Sequence, residues 1–258
     1  MKSILLKILG GATLFQLEDL KTRWFSAEKF KTENGKKKLF YGSFISRNEL
    51  CFDVGANLGN RITPLLDIGA KVIAIEPQKE CYKFLKRKFG NKIQVINKAL
   101  GEHEGEKDFH ISKAHILSSF SEDWINSVKD DRFKQYKWDK VIKTEMTTLD
   151  KLVELYGKPA YIKIDVEGYE LEVLKGLSHP VNMISFEYTV PEQTNKVIQC
   201  IEEIEKINKN IECNYSVGES MIFAFQYWLS VENMKKFVAT EEFTNTRFGD
   251  VYVRNKHK

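Results

Sequence analysis

From about Phe40 onward, short apolar runs alternate with stretches whose apolar positions recur every three or four residues. That is the pattern of successive βαβ units around a largely parallel sheet. Seven strands are predicted, at residues 50–54, 71–75, 93–96, 161–164, 183–186, 212–217 and 250–253. Between the second and third, Cys81, Phe84, Leu85 and Phe89 share one helical face. After the fourth, Tyr169, Leu171, Val173, Leu174 and Leu177 fit a short helix that Gly176 suits at its end. Thr194 is predicted to cap the next helix, in which Val197, Ile198, Ile201, Ile204 and Ile207 recur.

Two stretches break the alternation and are predicted insertions. Residues 106–143 carry Trp124, Phe133, Tyr136 and Trp138 among many charges, far more chain than the ~2–6 residues of an ordinary connection. Residues 219–248 hold an apolar-aromatic run, 221–229, and a predicted helix, 231–237. The expected organisation is a helical extension over 1–39 and a domain over 40–258 that carries both insertions. In the extension, Met1 to Leu17 has Ile4, Leu5, Ile8 and Leu9 at helical spacing, no small-residue cleavage site and no run of ~18 apolar residues. It reads as an amphipathic helix that packs on the domain, with weak membrane-surface contact as its other use.

Composition narrows the picture further. Forty basic against 36 acidic residues, a formal charge of +4, is too balanced for a chain whose main task is to grip a nucleic-acid backbone. Cys51, Cys81, Cys200 and Cys213 form no C-x-x-C pair, so disulfides and structural zinc are not expected and a cytoplasmic location is.

The chemistry concentrates at predicted strand ends. Cys51 to Gly59 runs from a buried strand through a two-glycine turn, D-x-G-x-N-x-G, into a helix. Glycine at such a turn allows close approach of a cofactor, although a plain tight turn would have the same composition. Glu76 ends the second strand, where a carboxylate can accept both ribose hydroxyls of an adenosine or can simply face water. Asn57 and the glycine spacing depart from the dinucleotide fingerprint G-x-G-x-x-G.

With these residues in place, the sequence resembles the FkbM-type S-adenosylmethionine-dependent methyltransferases, within the class I methyltransferase fold. The resemblance spans about Phe40 to Arg254 and rests on FDVGANLG at 52–59, IEP at 75–77, NKALGE at 97–102, TTLDKL at 147–152, KIDVEGYELEVLKG at 163–176 and FGDVYVR at 248–254. It implies a Rossmann-like α/β fold: a seven-stranded, mostly parallel sheet with helices on both faces and an antiparallel last strand. It implies S-adenosylmethionine as cofactor, with Asp53, Gly55, Asn57 and Gly59 around its methionine part, Glu76 on its ribose, and Lys98, Ala99 and Leu100 near its adenine. The expected reaction is O-methylation of a hydroxyl on a carbohydrate or carbohydrate-containing precursor, in glycan biosynthesis.

For the acceptor side, Asp165 and Glu167 follow the fourth strand and Glu187 ends the fifth, near the strand carboxyl ends where open α/β sheets bind ligands. They are candidates for general base and orienting group, or for oxygen ligands to a hard cation such as Mg²⁺; a metal requirement stays open. Glu167 can instead complement a helix N-terminus, and Glu187 can face water. His115, in the first insertion with His110, Ser118 and Ser119, is a further candidate base. Trp124, Tyr136 and Trp138 either stack on a sugar ring or anchor the insertion. The alternatives are a nicotinamide-dependent oxidoreductase and a noncatalytic binding module on the same fold. Oligomeric state is left open.

Overall fold

The structure, a computed structural model, describes residues 27–112, 117–130 and 132–256. The predicted N-terminal amphipathic helix and His115 lie outside the described residues. The chain divides into two compact units, residues 1–97 and 98–258.

In the first unit, α1 (Ala27–Gly42) precedes β1 (Leu50–Val54), α2 (Ile62–Ile68), β2 (Lys71–Ile75), α3 (Lys79–Phe89) and β3 (Gln94–Ile96). β1 pairs parallel with β2 from Leu50↔Lys71 to Val54↔Ile75, and β2 pairs parallel with β3. Cys51 to Val54 and Val72 to Ile75 are buried, as the continuous apolar runs require. α3 buries Cys81, Phe84, Leu85 and Phe89, the face that the spacing predicts. β3 starts one residue later than expected because 90–92 tighten into a 3₁₀ turn capped by Ile93.

The second unit holds two sheets. The smaller is β4 (Ala99–Leu100), β6 (Lys140–Thr147) and β5 (Gly105–Ile111), in which β5 and β6 pair antiparallel. The larger has the order β7 (Tyr161–Ile164), β8 (Met183–Thr189), β11 (Phe248–Asn255), β9 (Ile211–Val217) and β10 (Leu229–Ser230). β7 and β8 are parallel, and β11 runs antiparallel to both β8 and β9, as expected of the last strand. The helices are α4 (Glu122–Val128), α5 (Leu149–Tyr156), α6 (Glu170–Lys175), α7 (Thr194–Ile207), α8 (Val231–Val238) and α9 (Glu241–Thr244).

The α/β class, mostly parallel, is as predicted, but the strand count is corrected. All seven expected strands form; the two-residue β10 adds one beside β9, and β4, β5 and β6 make three more in the smaller sheet. β10 is too short to leave a periodic signal, and the Asn214 side chain supports its approach by donating to the Phe225 and Tyr227 carbonyls and accepting from Phe225 N. The first insertion is more regular than its charged sequence suggests. Its ends are the arms of β5 and β6, strands with largely exposed faces, and its middle is α4. Thr194 is the first helical residue rather than the cap, which is Gln193. Its hydroxyl donates to the Pro191 carbonyl. Among the described residues no helix is long and apolar enough to cross a membrane.

Candidate active site

In the first unit the loop after β1 is held from its own strand neighbours. Gly55 N and Ala56 N both donate to the Ile75 carbonyl, at 3.0 and 3.1 Å. Gly55 and Asn57 adopt positive φ, +80° and +48°. Asparagine is among the few side chains that tolerate that region, which accounts for its place where a dinucleotide loop would carry glycine. The turn that results aims Asn57 N at Glu76 Oε2, 2.8 Å away, while Gln78 N donates to Oε1 at 2.7 Å.

Glu76 is 2% exposed, and burial pushes its carboxyl up to about 7 despite these two amide donors. A carboxylate has about four lone-pair sites, so two stay open for a vicinal diol. Asn97, which sequence reasoning left without a role, fixes the same turn. Its Nδ2 donates to the Glu76 and Pro77 carbonyls, each at 2.9 Å. Asp53 is also buried, at 2%. Gly59 has a packing reason of its own: a Cβ there would lie 2.6 Å from Phe89 Cε2. The loop thus offers a buried acceptor and a side-chain-free backbone, a donor set that fits the ribose and amino-acid parts of S-adenosylmethionine. When bound, that cofactor supplies an electrophilic methyl group on a cationic sulfur.

In the second unit Asp165 follows β7, Glu167 sits in the next turn at φ +55°, and Glu187 lies within β8. The structure brings the three together, with one carboxylate oxygen from each within 4.8 Å of the others. Burial and then the Asp165 charge raise both Glu167 and Glu187 well above the usual carboxylate range. Such a cluster can share a proton, accept one from a hydroxyl, or converge on a hard cation.

One cation sits among these acids. Lys163 is 1% exposed, and its Nζ lies 2.7 Å from Asp250 Oδ1 and 3.2 Å from Asp165 Oδ2. Neither Lys163 nor Asp250 was singled out from the sequence, yet a signal was present. Each is a charge inside an apolar strand, Y-I-K-I and F-G-D-V-Y-V, and a buried charge needs a partner.

The turn between Asp165 and α6 is clamped from several sides. Glu170 Oε1 accepts from Val166 N and Gly168 N, both at 3.1 Å, and burial raises that carboxyl to about 7. Ser119 Oγ donates to the Glu167 carbonyl at 2.6 Å. Lys196 Nζ donates to the Gly168 carbonyl at 3.0 Å and lies 3.3 Å from Ser121 Oγ. Trp124, 1% exposed, packs on Gly168 so closely that a Cβ at 168 would fall within 2.6 Å of three Trp124 side-chain atoms. Trp124 is therefore an anchor and not a sugar platform, and Phe133, Tyr136 and Trp138 pack against its cluster.

The remaining candidates fall elsewhere in this unit. Lys98 forms an ion pair with Glu145 of β6, and Ala99 and Leu100 are buried in β4 opposite Met146 and Thr147. Only the backbone of those two is left to meet a ligand. His110 belongs to β5, where it pairs with the Ser119 backbone, and its Nε2 lies 3.4 Å from Glu122 Oε1.

An α/β chain with a nucleoside-type acid beside a glycine-bearing loop, and carboxylates at strand ends, has the layout of the Rossmann-like nucleoside-binding class. Residues 53–217 match the family described as Methyltransferase FkbM domain. The chain belongs to this family and is an S-adenosylmethionine-dependent methyltransferase, which sets aside the nicotinamide alternative. Similar solved structures include a TehB-like SAM-dependent methyltransferase from Corynebacterium glutamicum, 9% identical with a TM-score of 0.47 over 93% of this chain and 97% of that one. Others are a precorrin-6y C5,15-methyltransferase from Geobacter metallireducens (7%, 0.43, 84% and 86%) and an rRNA methylase from Streptococcus thermophilus (9%, 0.42, 85% and 94%). No curated protein matches the chain in sequence.

Proposed function

We propose that the chain transfers a methyl group from S-adenosylmethionine to a hydroxyl oxygen of a carbohydrate or carbohydrate-containing precursor. The observation that carries this reading is the cluster of Asp165, Glu167 and Glu187, three carboxyls converging on one point, of which Glu167 and Glu187 have raised proton affinity and, once ionised, can take a hydroxyl proton. A base with raised pKa is the stronger acceptor, and an alcohol needs one. In this reading Asp53, Gly55, Asn57, Gly59 and Glu76 bind the cofactor, Lys98 to Leu100 border its adenine through backbone atoms, Glu187 takes the proton, and Asp165 orients the hydroxyl.

The test is incubation of the full chain with methyl-labelled S-adenosylmethionine and a panel of sugar nucleotides, glycans and glycolipids, followed by product analysis. Label on a sugar oxygen, lost in Glu187→Gln while cofactor affinity stays, is the expected result. Label on nitrogen, carbon or RNA would sink the proposal. The same cluster favours a second reading, in which a hard cation on the three carboxylates holds the acceptor oxygen. Activity lost on chelation and restored by Mg²⁺ would establish it, and activity indifferent to chelation would reject it.

A further inference from the structure

The modest net charge of the whole chain conceals an asymmetry between its units. Residues 1–97 carry 18 basic and 9 acidic residues, a formal +9, whereas residues 98–258 carry 22 and 27, a formal −5. Such a division is the usual mark of a polyanionic partner for the basic part.

Of this excess α3 carries +4, Lys79, Lys83, Lys86, Arg87 and Lys88 against the exposed Glu80 alone. Lys79, Lys83, Lys86 and Arg87 are exposed and stand at helical positions i, i+4, i+7 and i+8, opposite the buried face of Cys81, Phe84, Leu85 and Phe89. Eight residues of helix span ~12 Å, so this is a dense stripe. None of the four has a carboxylate partner among the described residues. Several lysines of the second unit pair with neighbouring acids. Lys151, Lys206 and Lys236 pair with Glu154, Glu203 and Glu232 at 2.7, 2.7 and 2.6 Å, and Lys175 lies 3.9 Å from Glu172. A stripe of unneutralised cations repels itself, a cost that an external anionic surface removes.

We propose that the α3 face docks the enzyme on an anionic lipid bilayer. Lysine and arginine are each drawn to such a surface, which makes the three lysines and Arg87 together a substantial attraction. A nucleic-acid single strand fits the stripe less well, because one half-buried ring, Tyr82, flanks it, whereas successive bases stack on several. The same unit also supplies an apolar group that a bilayer could take up: Leu39, flanked by exposed Lys38, is 79% exposed.

The experiment is co-sedimentation of the full chain with phosphatidylcholine vesicles, with and without about 40% phosphatidylglycerol, at about 0.1 M salt and above. The wild type should bind only the anionic vesicles, and less as salt rises. A variant with Lys79, Lys83, Lys86 and Arg87 all replaced by Gln should lose at least about tenfold in partitioning. A control with Lys151, Lys175, Lys206 and Lys236 replaced by Gln, equal in charge removed, should stay within about twofold of wild type. Cofactor affinity by calorimetry reports folding; if the α3 variant fails that check, Lys83→Glu alone is read in its place. The proposal is overturned if the wild type ignores anionic vesicles, if the two variants lose equally, if the α3 variant binds as wild type does, or if a single-stranded RNA oligonucleotide binds the stripe while vesicles do not.

Discussion

At the scale of single residues, Glu76 shows how local geometry makes a cofactor contact sensitive to pH. Two backbone amides favour its ionised form and burial opposes them more strongly, leaving it at about 7. Ribose hydroxyls donate to the carboxylate, so binding is linked to loss of that proton. Affinity for S-adenosylmethionine should therefore rise as pH passes up through about 7 and level off above it. Titration calorimetry at several pH values checks this, and a flat profile would mean that Glu76 does not meet the ribose. Glu76→Gln should weaken binding about tenfold or more and remove that pH step, because a charged acceptor contributes ~1.5–3 kcal/mol per hydrogen bond. Lys163 makes the complementary case. Lys163→Met strands Asp250, 3% exposed, without its ammonium, and the expected loss is ~3–5 kcal/mol in urea denaturation. Joint replacement with Asp250→Leu should recover part of that loss. A single-variant loss under about 1 kcal/mol would show that the pair is dispensable.

At the scale of elements, the contact of α4 with the turn after β7 decides what the first insertion does. Trp124 on Gly168 and Ser119 on the Glu167 carbonyl tie the insertion to the turn that carries the acids. Gly168→Ala would put a methyl into the indole and force φ +84° on a residue with a Cβ. Trp124→Ala would instead leave a cavity, at ~3–5 kcal/mol. Both variants should lower the melting temperature and methyl transfer together, while S-adenosylmethionine affinity, which rests on the first unit's loop, stays within about threefold. Calorimetric affinity beside thermal melting separates the two effects. A Trp124→Ala protein with an unchanged melting temperature would show that Trp124 does not anchor the insertion.

At the scale of the whole molecule, burial holds several carboxyls above their unfolded values. Glu76 and Glu170 stand at about 7, and Glu167 and Glu187 are also raised. Between about 4.5 and 7 the native state thus keeps protons that the unfolded chain has released. Stability falls with rising pH wherever the native state binds more protons, so the cofactor-free protein should melt at a higher temperature near pH 5.5 than near pH 7.5. Saturating S-adenosylmethionine, by favouring ionised Glu76, should shrink that difference. Melting curves with and without cofactor test both statements, and a melting temperature that climbs steadily to pH 7.5 without cofactor would contradict the first.

Much of this was legible in the chain because the signals are local. The runs 50–54, 71–75 and 161–164 are strands to the residue, since continuous apolar segments have no other way to bury both faces. The loop after β1 and Glu76 could be named because a turn's chemistry lies in consecutive residues. The polar arms β5 and β6 could not, because exposed strands carry no apolar run to announce them. Nor could sequence alone join Lys163 to Asp250, 87 positions away, seat Trp124 on Gly168, or draw Asp165, Glu167 and Glu187 within 4.8 Å. Ion pairing and close packing depend on distance in space, and β-strand register sets that distance only once the sheet has formed.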